Sequence, residues 1–251
     1  MPELRLENVA KFFKVERKKQ MAVADITLTI EQGEFVFING SGGSGKSTIL
    51  HLLGGEILPD KGNAYLNNVN MTRFFGPWHQ KLRRTFGIVW QEPRLLRKSS
   101  VGDNLLLAAA AGGVRKKNAP LAVAKALALV GMSGAEQMFP GELAIGQVRR
   151  VELAKALVAS PPVLLLDELT AQLDDDTIWD VFHLLDELNR KGTTVVMVTH
   201  AAQFVNIMRR RVLTLVDGHL AGDVRNGRYG QTMAKTVTVF SGRRQNGQKK
   251  K

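Results

Sequence analysis

The chain has 251 residues, 44% of them hydrophobic and 23% charged, enough for one large α/β domain or two small ones around a sizeable core. It contains no cysteine, which excludes disulfides, thiolate metal sites and cysteine nucleophiles. A net charge of +12 suits an anionic partner, whether nucleic acid, an anionic membrane surface or a nucleotide, without choosing among them.

The first residues include Glu3 and Glu7 and lack an apolar stretch, so no signal peptide is expected there. The longest apolar run, 105–114, is shorter than the roughly 20 residues a bilayer span needs, and a cytoplasmic protein is expected. Residues 5–9 and 26–30 alternate with period two and read as half-buried strands. Between them, the basic stretch 14–19 reads as a loop. Residues 31–34 turn the chain into an apolar run, 35–39, which reads as a buried strand. Gly40, Ser41, Gly42, Gly43, Ser44, Gly45, Lys46, Ser47 and Thr48 follow, and 49–53 open a helix.

A glycine-rich turn from buried strand to helix with Lys-Ser at its end fits the phosphate loop of nucleotide-binding proteins. Glycines let the backbone approach phosphate oxygens without a Cβ clash. The loop amides and the helix N-terminus face the anion. Lys46 can reach the β- and γ-phosphates, and the Ser47 hydroxyl can ligate Mg²⁺.

Further along, turn residues 59–62 lead into a short strand at 64–66, and 86–90 read as a buried strand ended by Gln91 and Pro93. Residues 101–158 are rich in alanine and leucine at helical spacing. Helices are expected at 121–130, stopped by Gly131, and at 147–158, as an insertion between strands of the main sheet. Buried strands follow at 163–166, 194–198 and 212–216. Helices lie at 177–190, closed by Gly192, and from 201 onward. Continuous apolar strands alternating with helices imply a parallel sheet covered on both faces. From 242 the chain is polar and basic (Arg243, Arg244, Lys249, Lys250, Lys251) and reads as a disordered tail.

A phosphate loop needs a metal-holding acid, and Asp167 stands at the C-terminal end of the strand at 163–166, where α/β sheets place ligands. Glu168 is then placed to polarise an attacking water as general base. Gln91, Asp174 and His200 also sit at strand ends or just beyond. Each has a plain reading: Gln91 as a turn residue, Asp174 as an N-cap, His200 as a hydrogen-bonder at a helix start.

Taken in order after the phosphate loop, these residues resemble the ATP-binding-cassette (ABC) ATPases from about residue 4 to 223. The resemblance implies a P-loop fold with a parallel core sheet, an N-terminal antiparallel β subdomain and an inserted helical subdomain at about 92–160, followed by an extension at 224–251. It makes Gly40–Thr48 the Walker A motif, Gln91 the centre of the Q-loop, 163–168 Walker B, Asp174 the end of the D-loop and His200 the switch histidine. Phe13 falls where the family stacks an aromatic on adenine. ATP and Mg²⁺ are the implied cofactors, with Ser47, Gln91 and Asp167 around the ion and Glu168 and His200 as the catalytic groups. Within the family, the stretches 86–96 and 211–220 are similar to the cell-division subfamily of FtsE type, with lipoprotein and efflux ATPases of the LolD and MacB type as relatives.

Two departures stand out. The family signature leucine-serine-glycine-glycine-glutamine reads here Leu143, Ala144, Ile145, Gly146, Gln147. After Glu168, Leu169 replaces a proline, and Ala171 and Gln172 replace glycine and asparagine. By resemblance the signature contacts ATP on the other subunit, so slow turnover is expected. The implied assembly is a homodimer, or a heterodimer of ABC subunits, that sandwiches two ATP molecules and moves a transmembrane, FtsX-like partner at the inner face of the membrane, the basic tail touching anionic lipid. A slow regulatory subunit is one alternative. A nucleic-acid-associated ABC ATPase is another, disfavoured by the lack of a second cassette and of a long heptad segment.

Overall fold

The computed structural model describes residues 3–73, 82–171 and 173–232. Gln172 and the basic tail lie outside them, so the expectation of a disordered tail does too.

Strands β1 (Leu4–Val15) and β2 (Lys18–Ile30) form an antiparallel hairpin. This corrects the expected loop at 14–19. Lys14 pairs with Lys19 and Val15 with Lys18, which leaves only Glu16 and Arg17 as the turn. Both have positive φ, 47° and 66°, the backbone of a tight two-residue hairpin turn, without the Asn-Gly that usually announces one. β4 (Lys61–Leu66) adds to β1, and β5 (Val69–Asn70) to β4, completing a four-stranded sheet in the order β2-β1-β4-β5.

The second sheet has six strands. Its members are β3 (Phe35–Gly40), β6 (Phe86–Val89), β7 (Val163–Asp167), β8 (Thr194–Val198), β9 (Arg211–Val216) and β10 (His219–Val224), in the order β10-β9-β3-β8-β7-β6. All neighbours are parallel except β10, which pairs antiparallel with β9 at the edge. The apolar runs behave as a doubly covered sheet requires. Phe35 and Phe37 point into one core, Val36 and Ile38 into the other, and all four are buried. Each fully buried side chain of this size contributes about 1.5–3 kcal/mol.

Helix α1 (Lys46–Leu53) packs between the two sheets with Ile49, Leu50, Leu52 and Leu53 buried. The other core is covered by α2 (Val101–Ala111), α3 (Ala119–Leu129), α4 (Ile145–Leu157), α5 (Asp175–Arg190) and α6 (Ala202–Met208). Helices α2–α4 lie between β6 and β7 in the chain, as the alanine- and leucine-rich composition predicted. α4 and α5 each start two residues earlier than their apolar spacing suggested, because Ala144 and Asp174 occupy the N-cap positions.

The strand order fixes the site. β3, β8, β7 and β6 are consecutive neighbours, and their C-terminal ends deliver the phosphate loop, His200, Asp167 with Glu168, and Gln91 along one edge.

Candidate active site

Glycine and lysine chemistry shape the loop after β3. Gly45 caps α1 at φ 98°, and a Cβ there would stand 2.5 Å from Val23 Cγ1 and 2.6 Å from the Ala22 carbonyl. The loop can therefore reach the β1–β2 hairpin only with glycine at that position. Gly42 and Gly43 are different. Nothing lies within 4 Å of where their Cβ atoms would be, so the backbone there faces open space. Lys46 is buried and folds back over the loop, its Nζ donating to the carbonyls of Gly40 (3.0 Å) and Ser41 (2.9 Å). The ammonium thus spans the concave side of the loop, where an anion would meet it.

A cleft of about 390 Å³ opens over this loop. Gly42 to Thr48 form its floor. Phe13, Val15, Gln20, Met21 and Ala22 of the hairpin form one wall, and Gln91, Glu168 and His200 the other. Phe13 presents a half-exposed ring to the cleft.

Asp167 is 2% exposed, and its Oδ1 has no hydrogen-bond partner. Burial pushes its carboxyl up from the ordinary aspartate range; a hydrogen bond from the Ser47 side chain opposes this, and the Glu168 charge adds to it. A buried carboxylate oxygen with no donor is what a Mg²⁺ site between Ser47 and Asp167 would use, so the residues fit that ion.

Glu168 has positive φ, 49°, in the turn that leaves β7. Its Oε2 accepts from Gln91 Nε2 at 3.1 Å, and its Oε1 lies 3.2 Å from His200 Nε2. The three predicted site residues therefore meet in one row, as their strands do. On its other side, His200 Nδ1 lies 3.0 Å from the Tyr229 hydroxyl. Gln91 thus contacts Glu168 through its side-chain amide, and it lines the same cleft as Ser47.

The plain reading of Asp174 is realised. Its carboxylate accepts from Thr177 N (2.8 Å) and Thr177 Oγ1 (2.9 Å), capping α5. These bonds hold its carboxyl below the usual range. Leu169 is fully buried, so the residue that replaces the family proline serves the core.

The signature segment does not line this cleft. Leu143 packs on the core, while Ala144, Ile145 and Gln147 are exposed and Gly146 is half-exposed, facing Leu173. Ala144 is the N-cap of α4 with a methyl group where a hydroxyl would cap. Gln147 reaches back to accept from Ala144 N at 2.9 Å, which is one half of a capping box without its reciprocal bond.

Sequence reasoning missed the grip that α4 has on the Gln91 segment. Arg149, buried, donates from Nη1 to the Trp90 carbonyl and from Nη2 to the Gln91 carbonyl. Desolvation lowers its affinity for the proton, and Glu152 and Glu168 offset part of that. Glu152, 1% exposed, accepts from Arg94 N (3.0 Å) and Lys155 Nζ (2.9 Å), and Lys155 also donates to the Arg94 carbonyl. The Trp90 ring stacks on His51 at 4.0 Å, with the Arg94 guanidinium 4.9 Å from its centre. The one signal in the sequence was the acid at 152 inside an otherwise basic and apolar helix.

A model of the ABC transporter family matches residues 23–171. The cell division ATP-binding protein FtsE of Mycobacterium tuberculosis is 39% identical over 227 residues, 90% of this chain and 98% of that protein. The protein of the same name from Streptococcus pneumoniae serotype 2 is 36% identical over 209 residues, 83% of this chain and 91% of its own length. Among solved structures, the ATP-binding cassette MJ0796, dimeric in a post-hydrolysis state with ADP and Pi bound, matches with a TM-score of 0.83 at 30% identity. That match covers 90% of this chain and 100% of the other.

Proposed function

The chain belongs to the ABC transporter family as an ATP-binding subunit, and from that premise we propose that it powers a membrane complex of the FtsE type in cell division. It is an ATPase, with ATP as substrate and Mg²⁺ as the accompanying ion. The observation that carries the residue roles is the row Gln91–Glu168–His200 at the mouth of the phosphate-loop cleft. One donor, Gln91 Nε2, and the His200 ring nitrogen 3.2 Å away flank one carboxylate at the edge of an anion-binding loop, which is where a general base for water attack on a γ-phosphate belongs.

In this reading the Gly42–Ser47 backbone and Lys46 bind the phosphates, and Phe13 packs on the adenine. Ser47, Asp167 and Gln91 hold the ion. When bound, Mg²⁺ neutralises charge on the β- and γ-phosphate oxygens. Glu168 takes the proton of the attacking water, and His200 and Gln91 orient its carboxylate. Residues 143–147 of a second copy complete the cleft, with Asp174 near the seam; that none of them lines this chain's own cleft supports the dimer. The dimer closes on ATP and opens on hydrolysis, and a transmembrane partner of FtsX type senses this at the inner membrane face. Residues 4–223 are then the ATPase domain, with the helical part at about 92–160. The basic tail reads as a contact to the anionic leaflet, supported by composition alone.

A slow, regulatory enzyme is the second reading, favoured by the uncapped Ala144 and the exposed Ile145. The test of the main reading is steady-state phosphate release. Glu168→Gln keeps the shape but removes the base, so turnover should fall about 10²–10⁴-fold with ATP binding intact. Undiminished hydrolysis would remove Glu168 from the role.

A further inference from the structure

Tyr229 lies outside every motif that marks the active site, yet its hydroxyl is 3.0 Å from His200 Nδ1. The segment that carries it is built to stay there. After β10 the chain folds back over β9 and α6. Gly227 N donates to the Arg210 carbonyl (3.0 Å), Tyr229 N to Asn206 Oδ1 of α6 (2.9 Å), and Thr214 Oγ1 of β9 to the Gln231 carbonyl (2.7 Å). Gly227 sits so close to β9 that a Cβ would stand 2.9 Å from Val212 Cβ. The ring of Tyr229 packs against the main core, and only its polar end reaches the site.

The chemistry of the row decides who donates. A carboxylate only accepts, so of the two neutral tautomers of His200 the Nε2–H form is the one that suits the 3.2 Å approach of Nε2 to Glu168 Oε1. In a neutral imidazole Nδ1 is then bare and accepts, which makes the Tyr229 O–H the donor. Burial and the nearby Glu168 charge hold the phenol above its ordinary range, so it keeps that hydrogen.

We infer that Tyr229 is a positioning residue for His200, selecting by its hydroxyl the Nε2–H tautomer and the ring orientation that face Glu168. The inference rests on the proposed role of His200 beside the general base. His200 is half-exposed, and nothing among the described contacts holds Nδ1 except this phenol. Without it the ring is free to turn or to place its hydrogen on Nδ1, and Glu168 loses the N–H that faces it at 3.2 Å. The C-terminal segment would thus bear on turnover at a distance in sequence from every known motif.

The experiment uses the full chain and four proteins: the parent, Tyr229→Phe, His200→Ala and the double variant. Phenylalanine removes one atom and keeps the packed ring. Losing a neutral hydrogen bond that orients a catalytic group should lower kcat about three- to tenfold. KM for ATP and the melting temperature should stay at parent values, which a merely structural role would not allow. In the double variant Tyr229→Phe should add no further loss to His200→Ala. Parent kcat in Tyr229→Phe, a matching change in KM or melting temperature, or an additional loss on the His200→Ala background would each overturn the inference alone. Parent turnover in His200→Ala would overturn the role of His200, and the inference with it.

Discussion

The signature segment offers a perturbation whose effects on stability and on rate separate. Ala144 occupies the N-cap of α4 with φ −63° and ψ 156°, the extended backbone a cap requires, and Gln147 already supplies the returning bond to its amide. A serine hydroxyl at 144 would accept from the Gln147 amide in the first turn and complete the box, worth about 1 kcal/mol. For a domain of this size that is a rise of about 2–4 °C in melting temperature. Ile145→Gly acts the other way. The side chain is 53% exposed, so little burial is lost, but glycine in a helix costs up to about 1 kcal/mol. The double variant should therefore melt close to the parent, while Ala144→Ser alone melts higher. Turnover behaves differently under the proposed dimer, in which a serine at 144 would restore a donor to the transferred phosphate. One such donor in a preorganised site is worth about 2.7–4 kcal/mol, and the gain here should be smaller since Gly146 and the helix N-terminus are in place. Phosphate release by the double variant should rise about two- to tenfold. An Ala144→Ser protein that melts no higher would refute the capping argument. A double variant that hydrolyses no faster would show that the departure is tolerated, and the slow-enzyme reading would weaken.

The remaining expectations concern carboxylates. Asp167→Asn should stabilise the nucleotide-free protein at pH 7, because the burial that raises this carboxyl makes its charge a cost to folding. The folded-state value lies above the unfolded one, so the gain should vanish below the unfolded value near about pH 4, where parent Asp167 is protonated in both states. The same variant should weaken Mg²⁺-dependent ATP binding by about 10–100-fold in a titration; equal melting curves and equal affinity would refute both statements. Glu56 is the opposite case: a hydrogen bond from His51, with the charge of Arg94, holds its carboxyl low. Its contribution is present above the unfolded value and is lost as pH falls through the lower folded one. Glu56→Gln should therefore melt below the parent at pH 7, and the gap should close as pH falls through the lowered folded-state value. A gap that persists in acid would mean the loss is one of packing rather than charge.

The sheet and the phosphate loop were legible because their signals are local. An apolar run of five or six residues, a glycine turn and a lysine reveal a strand, a loop and a helix start without reference to anything distant. Asp167 and Glu168 were legible for the same reason, as acids directly after such a run. The hairpin at 14–19 was not. Its turn residues, Glu16 and Arg17, carry none of the composition that marks a two-residue turn, and basic side chains outside a sheet and at a hairpin tip look alike in sequence. The cap of α4 was likewise blurred, since apolar spacing reports the buried face and not the first turn, whereas the α5 cap was legible in Asp174 because a short acid is a strong capping residue.

The polar grip on the Gln91 segment was hidden for a different reason. Arg149, Glu152 and Lys155 recur at helical spacing, and a sequence reader takes such charges for a solvated face. The structure turns that face inward, onto the backbone of residues 90–94, because those residues leave β6 without a ladder partner for their carbonyls. Backbone that leaves a ladder needs other partners, and side chains from a helix about 58–61 residues later supply them. The physical consequence reaches the proposed mechanism. The helix that begins with the signature at Ala144 and the segment that presents Gln91 to Glu168 share a rigid set of charged bonds. A shift of α4 against a second copy would therefore be carried to the donor on the general base through Arg149, with no intervening loop to absorb it.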